Sequence, residues 1–288
     1  MIKVAINGFG RIGRIALRAI LTKYQSEVKV VAINTSGSMA IDGWAHLFEF
    51  DSVYGKFNGK VEQESRRAGE QESKNGEIGT LIVNHQRIPF LAEREPGKIP
   101  WKKYETEIVI EATGVFRDRK SISAHFQGGA KKIIVAAPAK EVKTFVIGVN
   151  QNEYHNELIV NNASCTTNCV APVTKVIIDN FGVQKALMTT VHAYTADQEL
   201  VDGSHKDLRR ARAAAINIVP TSTGAAIATT EVLPSLKGLF DGLALRVPIA
   251  CGSIADFCFV ITHRTTKEEV NQALIRAAKG EYLSLIHI

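Results

Sequence analysis

Cys165 is the residue of this sequence that is best suited to act as a nucleophile. Ser164 and Thr166 flank it, and both residue types cap helices or bind anions. An apolar pattern at helical spacing follows, so Cys165 is expected at the N-terminus of a helix. A helix N-terminus lowers the pKa of a thiol, and a neighbouring histidine lowers it further. The pattern therefore predicts a reactive thiolate near neutral pH.

His192 is the candidate base for that thiol among the eight histidines of the chain. It lies near the end of a strand-like run from Leu187 to Tyr194, a position at which α/β proteins present catalytic groups. Sequence alone leaves the pairing of His192 with Cys165 open, because catalytic partners need not be close in sequence. The remaining cysteines are expected to be packed, unreactive side chains rather than metal ligands, and no metal site is predicted. They are Cys169, Cys251 and Cys258.

A second motif, Asn7-Gly8-Phe9-Gly10-Arg11-Ile12-Gly13, has the G-x-G-x-x-G spacing of a dinucleotide-binding turn. The spacing is weak on its own, but here it follows a strand-like run and opens a helical pattern, which is the context that supports it. Glycines at these positions allow a tight turn and a close approach of the backbone to a pyrophosphate at the helix N-terminus. We therefore predict a dinucleotide site, with a purely structural turn as the alternative.

The residue at the end of the second predicted strand bears on the choice of cofactor. An acidic residue near this position normally binds the hydroxyls of the adenosine ribose. Here the position is occupied by Asn34, and Thr35 and Ser36 follow it. An amide does not repel a 2'-phosphate as a carboxylate would, and hydroxyls can donate to it. The pattern favours NADP, or the use of both NAD and NADP, although Asn34 could also serve simply as a ribose ligand.

The elements that must position these residues follow two different patterns. In the first half, short apolar runs alternate with helical patterns, which is typical of a parallel sheet built from βαβ units. Strands are predicted there at residues 2–6, 28–34, 108–111, 132–136 and 144–148. The polar stretch 54–79 predicts hairpins or a surface excursion. In the second half, a helix from Cys165 to near Phe181 precedes strands predicted at residues 186–194, 242–248 and 253–262.

The length of 288 residues exceeds the usual size of one hydrophobic core, which favours two domains. We predict an α/β protein, with an N-terminal Rossmann dinucleotide-binding domain over residues 1–163. A second, α+β catalytic domain with a mainly antiparallel sheet is expected over residues 164–288.

Composition restricts the class of partner. The net charge of +6 is dispersed and no aromatic-rich basic stripe is present, so anionic metabolites are favoured over nucleic acid. No Cys-x-x-Cys pair, signal peptide or membrane-length apolar run is found. These patterns predict a cytoplasmic protein of a reducing compartment with no membrane partner.

Three segments together closely resemble the phosphorylating (type I) glyceraldehyde-3-phosphate dehydrogenase family. They are residues 7–14 (NGFGRIGR), 163–169 (ASCTTNC) and 220–226 (PTSTGAA), and the resemblance runs from Met1 to about Glu281. It implies that Cys165 attacks the aldehyde and that His192 takes the thiol proton. A hydride then passes to NAD or NADP, and inorganic phosphate releases the thioester as 1,3-bisphosphoglycerate. This is a reaction of glycolysis.

The resemblance also implies two phosphate sites and a set of cofactor ligands. One phosphate would be bound by Ser164, Thr166, Thr223 and Gly224, and the other by Thr195, Arg210 and Arg246. The cofactor would be bound by Gly8, Gly10, Arg11, Ile12, Gly13, Asn34, Thr35, Thr113 and Ser204. Family members that use only NAD carry Asp at the position of Asn34 and a Leu-Pro pair at Gly203-Ser204. Members that accept NADP carry Thr and Ser at the positions of Thr35 and Ser204, so the resemblance favours NADP.

Residues 197–214 resemble the family's loop between subunits, which implies a homotetramer. Residues 282–288 do not resemble the family, and a C-terminally truncated chain is therefore expected. An inactive dinucleotide-binding fragment is one alternative that follows from this. Erythrose-4-phosphate dehydrogenase is another, although it lacks the threonines that correspond to Thr195 and Thr223.

Overall fold

A computed structural model describes residues 1–65, 76–280 and 282, and the chain divides into two compact units. The first comprises Met1–Lys143 and Asn156–Asn162, and the second comprises Thr144–His155 and Ala163–Ile288. Residues 144–155, which lie within the predicted Rossmann domain, therefore fall in the second unit.

The first unit is a sheet with helices connecting its parallel strands. Its strands are β1 (Ile2–Asn7), β2 (Val28–Thr35), β3 (Phe50–Asp51), β4 (Gly55–Lys56), β5 (Val61–Ser65), β6 (Glu77–Val83), β7 (Gln86–Ala92), β8 (Ile108–Glu111), β9 (Lys132–Val135) and β10 (Ile159–Asn161). Its helices are α1 (Arg11–Lys23), α2 (Ile41–Glu49) and α3 (Arg119–Ser123), with 3₁₀ turns at Pro96–Lys98, Trp101–Tyr104 and Ala124–Phe126. The main sheet has the order β10-β9-β8-β1-β2-β7-β6-β5.

The parallel part of this sheet brings three polar strand ends side by side. β1 pairs in parallel with β2 on one side and with β8 on the other. In that register Asn7 lies opposite both Asn34 and Glu111. The strands themselves are apolar and buried, because helices or loops cover both faces of a parallel sheet. The carboxyl ends of the strands therefore carry the polar residues available for a ligand site.

Four of the five strands predicted in the first half are confirmed, as β1, β2, β8 and β9. The strand predicted at residues 144–148 is wrong. The backbone there turns, and it hydrogen-bonds to one side chain instead of to a strand: Asn150 Oδ1 accepts from Val146 N, and Asn150 Nδ2 donates to Thr144 O, both at 2.9 Å. Val146 is nevertheless buried, which explains why the segment is apolar. The sheet has β10 at one edge and β5 at the other, and the sequence pattern missed β10.

The polar stretch 54–79 forms antiparallel structure, as predicted, where the structure describes it. β3 and β4 form a small hairpin, and β5 and β6 extend the main sheet in antiparallel fashion beyond β7. Residues 66–75 of this stretch lie outside the described residues.

The second unit packs three helices against a mixed sheet. Its strands are β11 (Val183–Ala193), β12 (Val219–Ser222), β13 (Phe240–Val247) and β14 (Ser253–Ile261), in the order β12-β13-β11-β14. Its helices are α4 (Cys165–Phe181), α5 (Ala225–Val232) and α6 (Lys267–Lys279), with 3₁₀ turns at Gln151–Glu153 and Pro234–Leu236. Two of its three strand pairings are antiparallel, and β11 with β13 is parallel. The helix predicted from Cys165 and the three long strands are confirmed, and β12 was missed.

Val170 of α4 and Ala225 and Ala226 of α5 share one core cluster with Met188 of β11. Both helices therefore pack on the same face of the sheet. No helix among the described residues is long and apolar enough to cross a membrane.

Candidate active site and dinucleotide pocket

The start of α4 places Cys165 at the first helical position. Ser164 is the N-cap, and its hydroxyl accepts a hydrogen bond from Thr167 N at 3.0 Å. A serine at this position satisfies one of the free N–H groups of the first turn, which is why the helix begins here. The Cys165 thiol is exposed to solvent, within reach of a substrate.

His192 reaches the thiol from β11. Its Nε2 lies 3.4 Å from Cys165 Sγ, so the structure brings together the two residues whose pairing the sequence left open. Its Nδ1 lies 2.7 Å from the carbonyl oxygen of Ala193. Nδ1 also lies 3.3 Å from Arg246 Nη1, which can only donate, but the carbonyl, which can only accept, is the closer partner. We therefore assign the proton to Nδ1, which leaves Nε2 of the neutral ring as an acceptor for the thiol proton.

The pair shifts both pKa values towards an ion pair. The hydrogen bond from His192 lowers the pKa of Cys165 to about 7, although burial opposes this effect. The hydrogen bond to Cys165 raises the pKa of His192 above its ordinary value, and the Ala193 carbonyl adds to the effect against the cost of burial. The pair therefore favours a reactive thiolate near neutral pH.

A cluster of two arginines, a threonine and a carboxylate adjoins His192. Arg246 of β13 lies directly opposite His192 in the parallel register, and its Nη1 donates to Ala193 O at 3.1 Å and to Thr195 Oγ1 at 2.8 Å. The Thr195 hydroxyl in turn donates to Asp197, which forms an ion pair with Arg210. The structure thus brings Thr195, Arg210 and Arg246 together as the predicted phosphate site requires.

Asp197 and Thr221 are members of this cluster that the sequence pattern did not identify. Thr221 Oγ1 accepts from both Nε (3.0 Å) and Nη2 (2.7 Å) of Arg210 and so fixes the guanidinium. Burial raises the pKa of Asp197, but the hydrogen bond from Thr195 and the charge of Arg210 outweigh it and hold this pKa below its ordinary value. The only sequence signal for Asp197 is a carboxylate two residues after Thr195, in a loop rich in arginine.

The other predicted phosphate ligands lie at two helix starts. Ser164 and Thr166 flank Cys165, and Thr166 Oγ1 is 3.9 Å from the thiol sulfur. Gly224 is the N-cap of α5, and Thr223 Oγ1 accepts from Ala225 N at 3.1 Å within the same turn. The hydroxyls of Ser164 and Thr223 thus take part in capping, while the N-termini of two neighbouring helices supply N–H groups for an anion.

The other cysteines differ from the sequence expectation. Cys169, Cys251 and Cys258 are all exposed, so the expectation that they are packed is wrong. Cys258 lies on the outer face of an edge strand, where alternation turns every second side chain outwards. Although Cys169 is exposed as a residue, neighbouring atoms partly desolvate its sulfur, which raises its pKa. The neighbouring Cys165 adds to this, so Cys169 lacks the thiolate character of Cys165.

In the first unit, the glycine motif forms one wall of a cavity of about 540 Å³. Gly8 has a positive φ of 96°, and a Cβ there would lie 2.6 Å from Thr113 N. A Cβ at Gly13 would lie 2.0 Å from Gly8 O, whereas Gly10 has open space in front of it. Gly10 caps α1 without a side-chain hydrogen bond. The free N–H groups of the helix N-terminus therefore face a space that a phosphate can occupy.

The far side of this cavity carries the residues that would discriminate between cofactors. Asn34, Thr35, Ser36 and Arg94 line it, together with Thr113. Asn34 is 3 % exposed, and both hydrogens of its amide are used, by Asn7 Oδ1 at 2.7 Å and by Glu93 O at 2.8 Å. The Thr35 hydroxyl donates to Leu91 O at 3.2 Å. These two side chains are thus turned towards the protein rather than towards a ligand.

Arg94 is the cationic residue of the cavity wall, and the sequence pattern did not single it out. Its Nε donates to Ser36 O at 3.2 Å, which places the guanidinium beside Ser36. The sequence pattern did not reveal this pairing because Arg94 and Ser36 are 58 residues apart in the chain. Of the remaining predicted cofactor ligands, Arg11 and Ile12 are exposed on the first turn of α1, and Ser204 is exposed in the loop after β11 in the second unit.

Comparison with known proteins gives two family matches. The model described as glyceraldehyde 3-phosphate dehydrogenase, NAD binding domain, matches residues 2–119, and the one described as the C-terminal domain of the same enzyme matches residues 164–288. Because the second match continues to residue 288, the comparisons do not support the predicted truncation.

Curated relatives agree with the family models. The chain is 47% identical over 287 residues to glyceraldehyde-3-phosphate dehydrogenase 2 of Nostoc sp., with 97% of this chain and 80% of the relative covered. It is 48% identical over 280 residues to glyceraldehyde-3-phosphate dehydrogenase of Streptomyces coelicolor, with 96% and 79% covered. It is 47% identical over 277 residues to the chloroplastic glyceraldehyde-3-phosphate dehydrogenase A of Scenedesmus vacuolatus, with 95% and 84% covered.

Proposed function

Because the chain belongs to the glyceraldehyde-3-phosphate dehydrogenase family, we propose that it oxidises D-glyceraldehyde 3-phosphate to 1,3-bisphosphoglycerate through a thioester on Cys165. The observation that carries this proposal is the contact of 3.4 Å between Cys165 Sγ and His192 Nε2, beside a cluster of arginines. The test is formation of reduced cofactor that requires both the aldehyde and inorganic phosphate. Turnover without phosphate would indicate a non-phosphorylating aldehyde dehydrogenase instead.

The chain's own residues supply the nucleophile and the base. His192 Nε2 takes the thiol proton, and the Ala193 carbonyl stabilises the resulting imidazolium through Nδ1. Cys165 Sγ forms a bond to the aldehyde carbon, and the negative charge that develops on the oxygen is stabilised by the N–H groups at the start of α4. The protonated His192 gives its proton to that oxygen, which forms the hydroxyl of the thiohemiacetal, and takes the proton back when the hydroxyl is oxidised. Attack by phosphate on the thioester carbon breaks the C–S bond and restores the thiolate.

The cofactor for the oxidation is NAD or NADP, whose nicotinamide supplies a hydride acceptor when it is bound. The residues of the first unit fit such a dinucleotide. Gly8 and Gly13 stand where a side chain would collide with the backbone, and Gly10 leaves space in front of a helix N-terminus that has no acidic residue in its first turn. This combination accommodates a pyrophosphate. We assign the binding to the glycine turn together with Arg11, Ile12, Thr113 and the wall formed by Asn34 and Thr35.

The two arginines of the second unit are suited to the substrate phosphate. Guanidinium groups bind phosphate with paired hydrogen bonds, and Arg210 and Arg246 are already oriented by Thr221 and Ala193. Asp197 balances their charge while no anion is bound. The attacking phosphate is assigned to Ser164, Thr166, Thr223 and Gly224, whose helix N-termini provide N–H donors.

Use of NADP as well as NAD is supported by the absence of a carboxylate at Asn34 and by the charge of Arg94. A 2'-phosphate adds about two negative charges, which a carboxylate would repel and a guanidinium would attract. The Asn34 amide is already hydrogen-bonded to Asn7 and Glu93, so we do not assign it as a ligand; its contribution is that it carries no negative charge. We assign the attraction of the 2'-phosphate to Arg94 together with Ser36. Ser204 stays a proposed second donor.

Replacement of Arg94 by alanine is expected to weaken NADP binding by about tenfold, with a much smaller effect on NAD, because one charge-assisted contact to phosphate is lost. The dissociation constants of both cofactors, measured by calorimetry, check this. Lys98→Ala is the matched control, since Lys98 is a nearby exposed cation paired with Glu95 and outside the cavity. Equal losses for NAD and NADP would contradict the assignment of Arg94 to the 2'-phosphate.

A homotetramer is supported by exposed apolar side chains on the outer face of the second unit's sheet, where charged residues are interspersed with them. Ile254 of β14 is 73% exposed and Leu187 of β11 is 60% exposed, and Leu243 and Val260 add to the same face. The loop after β11 carries further exposed apolar residues, among them Leu200 and Leu208. Large contiguous apolar surfaces are characteristic of protein interfaces.

Ile254→Lys is therefore expected to shift the mass measured by light scattering from a tetramer to smaller species, because a charge would be buried in the interface. Ile227→Lys on α5 is the control, since Ile227 is 68% exposed and lies outside both apolar surfaces. A wild-type chain that is monomeric at all concentrations would contradict the proposed assembly.

We place the enzyme in the cytoplasm, where a reducing environment preserves the thiolate of Cys165.

A further inference from the structure

Glu111 is a carboxylate with 1% exposure at the carboxyl end of β8, and the proposed reaction does not use it. Burial of a charged group is costly unless hydrogen bonds replace its hydration. Its side chain lies within the first unit, below the cavity assigned to the dinucleotide. The presence of a buried carboxylate here is therefore explained by the groups that donate hydrogen bonds to it.

Four donors converge on this carboxylate. Oε2 accepts from Asn7 Nδ2 at 2.5 Å and lies 3.0 Å from His125 Nε2. Oε1 accepts from the backbone N of Thr113 at 2.8 Å and from the Thr113 hydroxyl. An ionised carboxylate offers acceptors only, so it satisfies all four. An amide of the same shape would turn its own NH₂ group towards donors on one side.

The orientation of the His125 proton is set by a tryptophan. His125 and Trp101 are fully buried, and the indole Nε1 lies 3.0 Å from His125 Nδ1. Because the indole N–H can only donate, Nδ1 accepts and carries no proton. The proton of the neutral ring is then on Nε2, where it is donated to Glu111. Trp101 thus fixes the tautomer of His125 in which Nε2 donates a hydrogen bond to Glu111.

Two of the groups held by Glu111 belong to different segments that line the cavity. Asn7 begins the glycine turn, and Thr113 belongs to the segment after β8. The two segments touch through their backbones, since a Cβ on Gly8 would lie 2.6 Å from Thr113 N. The Asn7 side chain also accepts from Asn34 Nδ2 at 2.7 Å, which links the ribose end of the cavity to the same carboxylate.

We propose that Glu111 is a positioning residue, which together with His125 and Trp101 holds the glycine turn and the Thr113 segment in the arrangement that binds the dinucleotide. The proposal rests on the proposed function, because its ligand is the NAD or NADP of that reaction. It has a specific consequence: the affinity for the cofactor depends on Trp101, a residue that does not line the cavity.

The test is titration of NAD and NADP into the full chain by calorimetry. Glu111→Gln, which removes the acceptor and introduces a donor, is expected to raise Kd by about tenfold or more. Trp101→Phe, which releases the histidine tautomer, is expected to raise it by about threefold. The control is Ile122→Val, a volume change at another fully buried residue of the same core cluster as Trp101, and it should leave Kd unchanged. The rate of Cys165 alkylation should be the same in all variants without cofactor.

A spectroscopic readout separates positioning from loss of stability. The ¹⁵N chemical shifts of the His125 ring should show the Nε2–H tautomer in the wild type and a mixture in Trp101→Phe. Wild-type affinity in Glu111→Gln, or a loss in Ile122→Val as large as in Trp101→Phe, would overturn the role of Glu111. If Glu111→Gln does not fold, wild-type affinity for the cofactor in Trp101→Phe would overturn the role of Glu111 instead. Failure of the wild type to bind either cofactor would overturn the proposed function and this role with it.

Discussion

Serine in place of Cys165 is expected to lower phosphate-dependent cofactor reduction by at least about a thousandfold, because the covalent intermediate can no longer form at a useful rate. A serine hydroxyl next to His192 is a far weaker nucleophile than a thiol whose pKa is about 7. The measurement is the absorbance of the reduced nicotinamide, with D-glyceraldehyde 3-phosphate, cofactor and inorganic phosphate present.

Cys169→Ser is the control for this variant. Cys169 lies one helical turn further along α4 and is also exposed as a residue, but partial desolvation of its sulfur and the neighbouring Cys165 raise its pKa. Its replacement should preserve most of the activity. Affinity for the cofactor should be unchanged in both variants, since neither Cys165 nor Cys169 is among the proposed cofactor ligands. Substantial phosphate-dependent turnover by Cys165→Ser would contradict a mechanism that proceeds through a thioester.

Glutamine in place of His192 is expected to remove the effect that keeps the pKa of Cys165 near 7. The hydrogen bond with His192 is the largest cause of that lowering, so the pKa of the thiol should return towards its ordinary value of about 8.5. Ionisation then requires a higher pH, and the rate of alkylation by iodoacetamide at pH 7 should fall by about tenfold. Turnover should fall by a further factor of about a hundred or more, because the general base is lost as well.

The pH dependence of alkylation measures this shift directly. In the wild type the rate should rise with pH through a midpoint of about 7, and in His192→Gln the midpoint should move upwards. His263→Gln is the control: its ring lies 3.1 Å from the Phe181 carbonyl through Nδ1, in the same unit and away from the thiol. An unchanged midpoint in His192→Gln would show that the helix N-terminus alone activates Cys165.

Features with local causes were predictable from the sequence. The Ser164 cap and the apolar spacing after it place the start of α4 at Cys165, and the glycine spacing after β1 predicts the turn that the structure shows. Each depends on residues within one turn of the chain, where capping and backbone conformation dominate. The error at residues 144–148 has the opposite origin. Their apolar pattern is that of a strand, but Asn150 takes their hydrogen bonds.

The ribose end of the cavity shows the limit of pattern reasoning in the site itself. The sequence indicates polar groups at Asn34 and Thr35, and the structure places both there. The sequence cannot indicate which way these two side chains point. The Asn34 amide turns to Asn7 and Glu93, at sequence distances of 27 and 59 residues. The partner that we propose for a 2'-phosphate is therefore Arg94.

By itself, the sequence of this protein predicted the start of α4 at Cys165, the glycine turn after β1 and half of the strands that the structure describes, because local hydrogen bonds and apolar periodicity act over a few residues. Only the tertiary structure decided the pairing of Cys165 with His192, the link between Arg210 and Arg246 through Asp197 and Thr195, and the burial of Glu111 beside the glycine turn. These contacts join different elements of the fold. Their geometry depends on strand register and helix packing, and the burial of each charge is tolerated only where the packing supplies its partners.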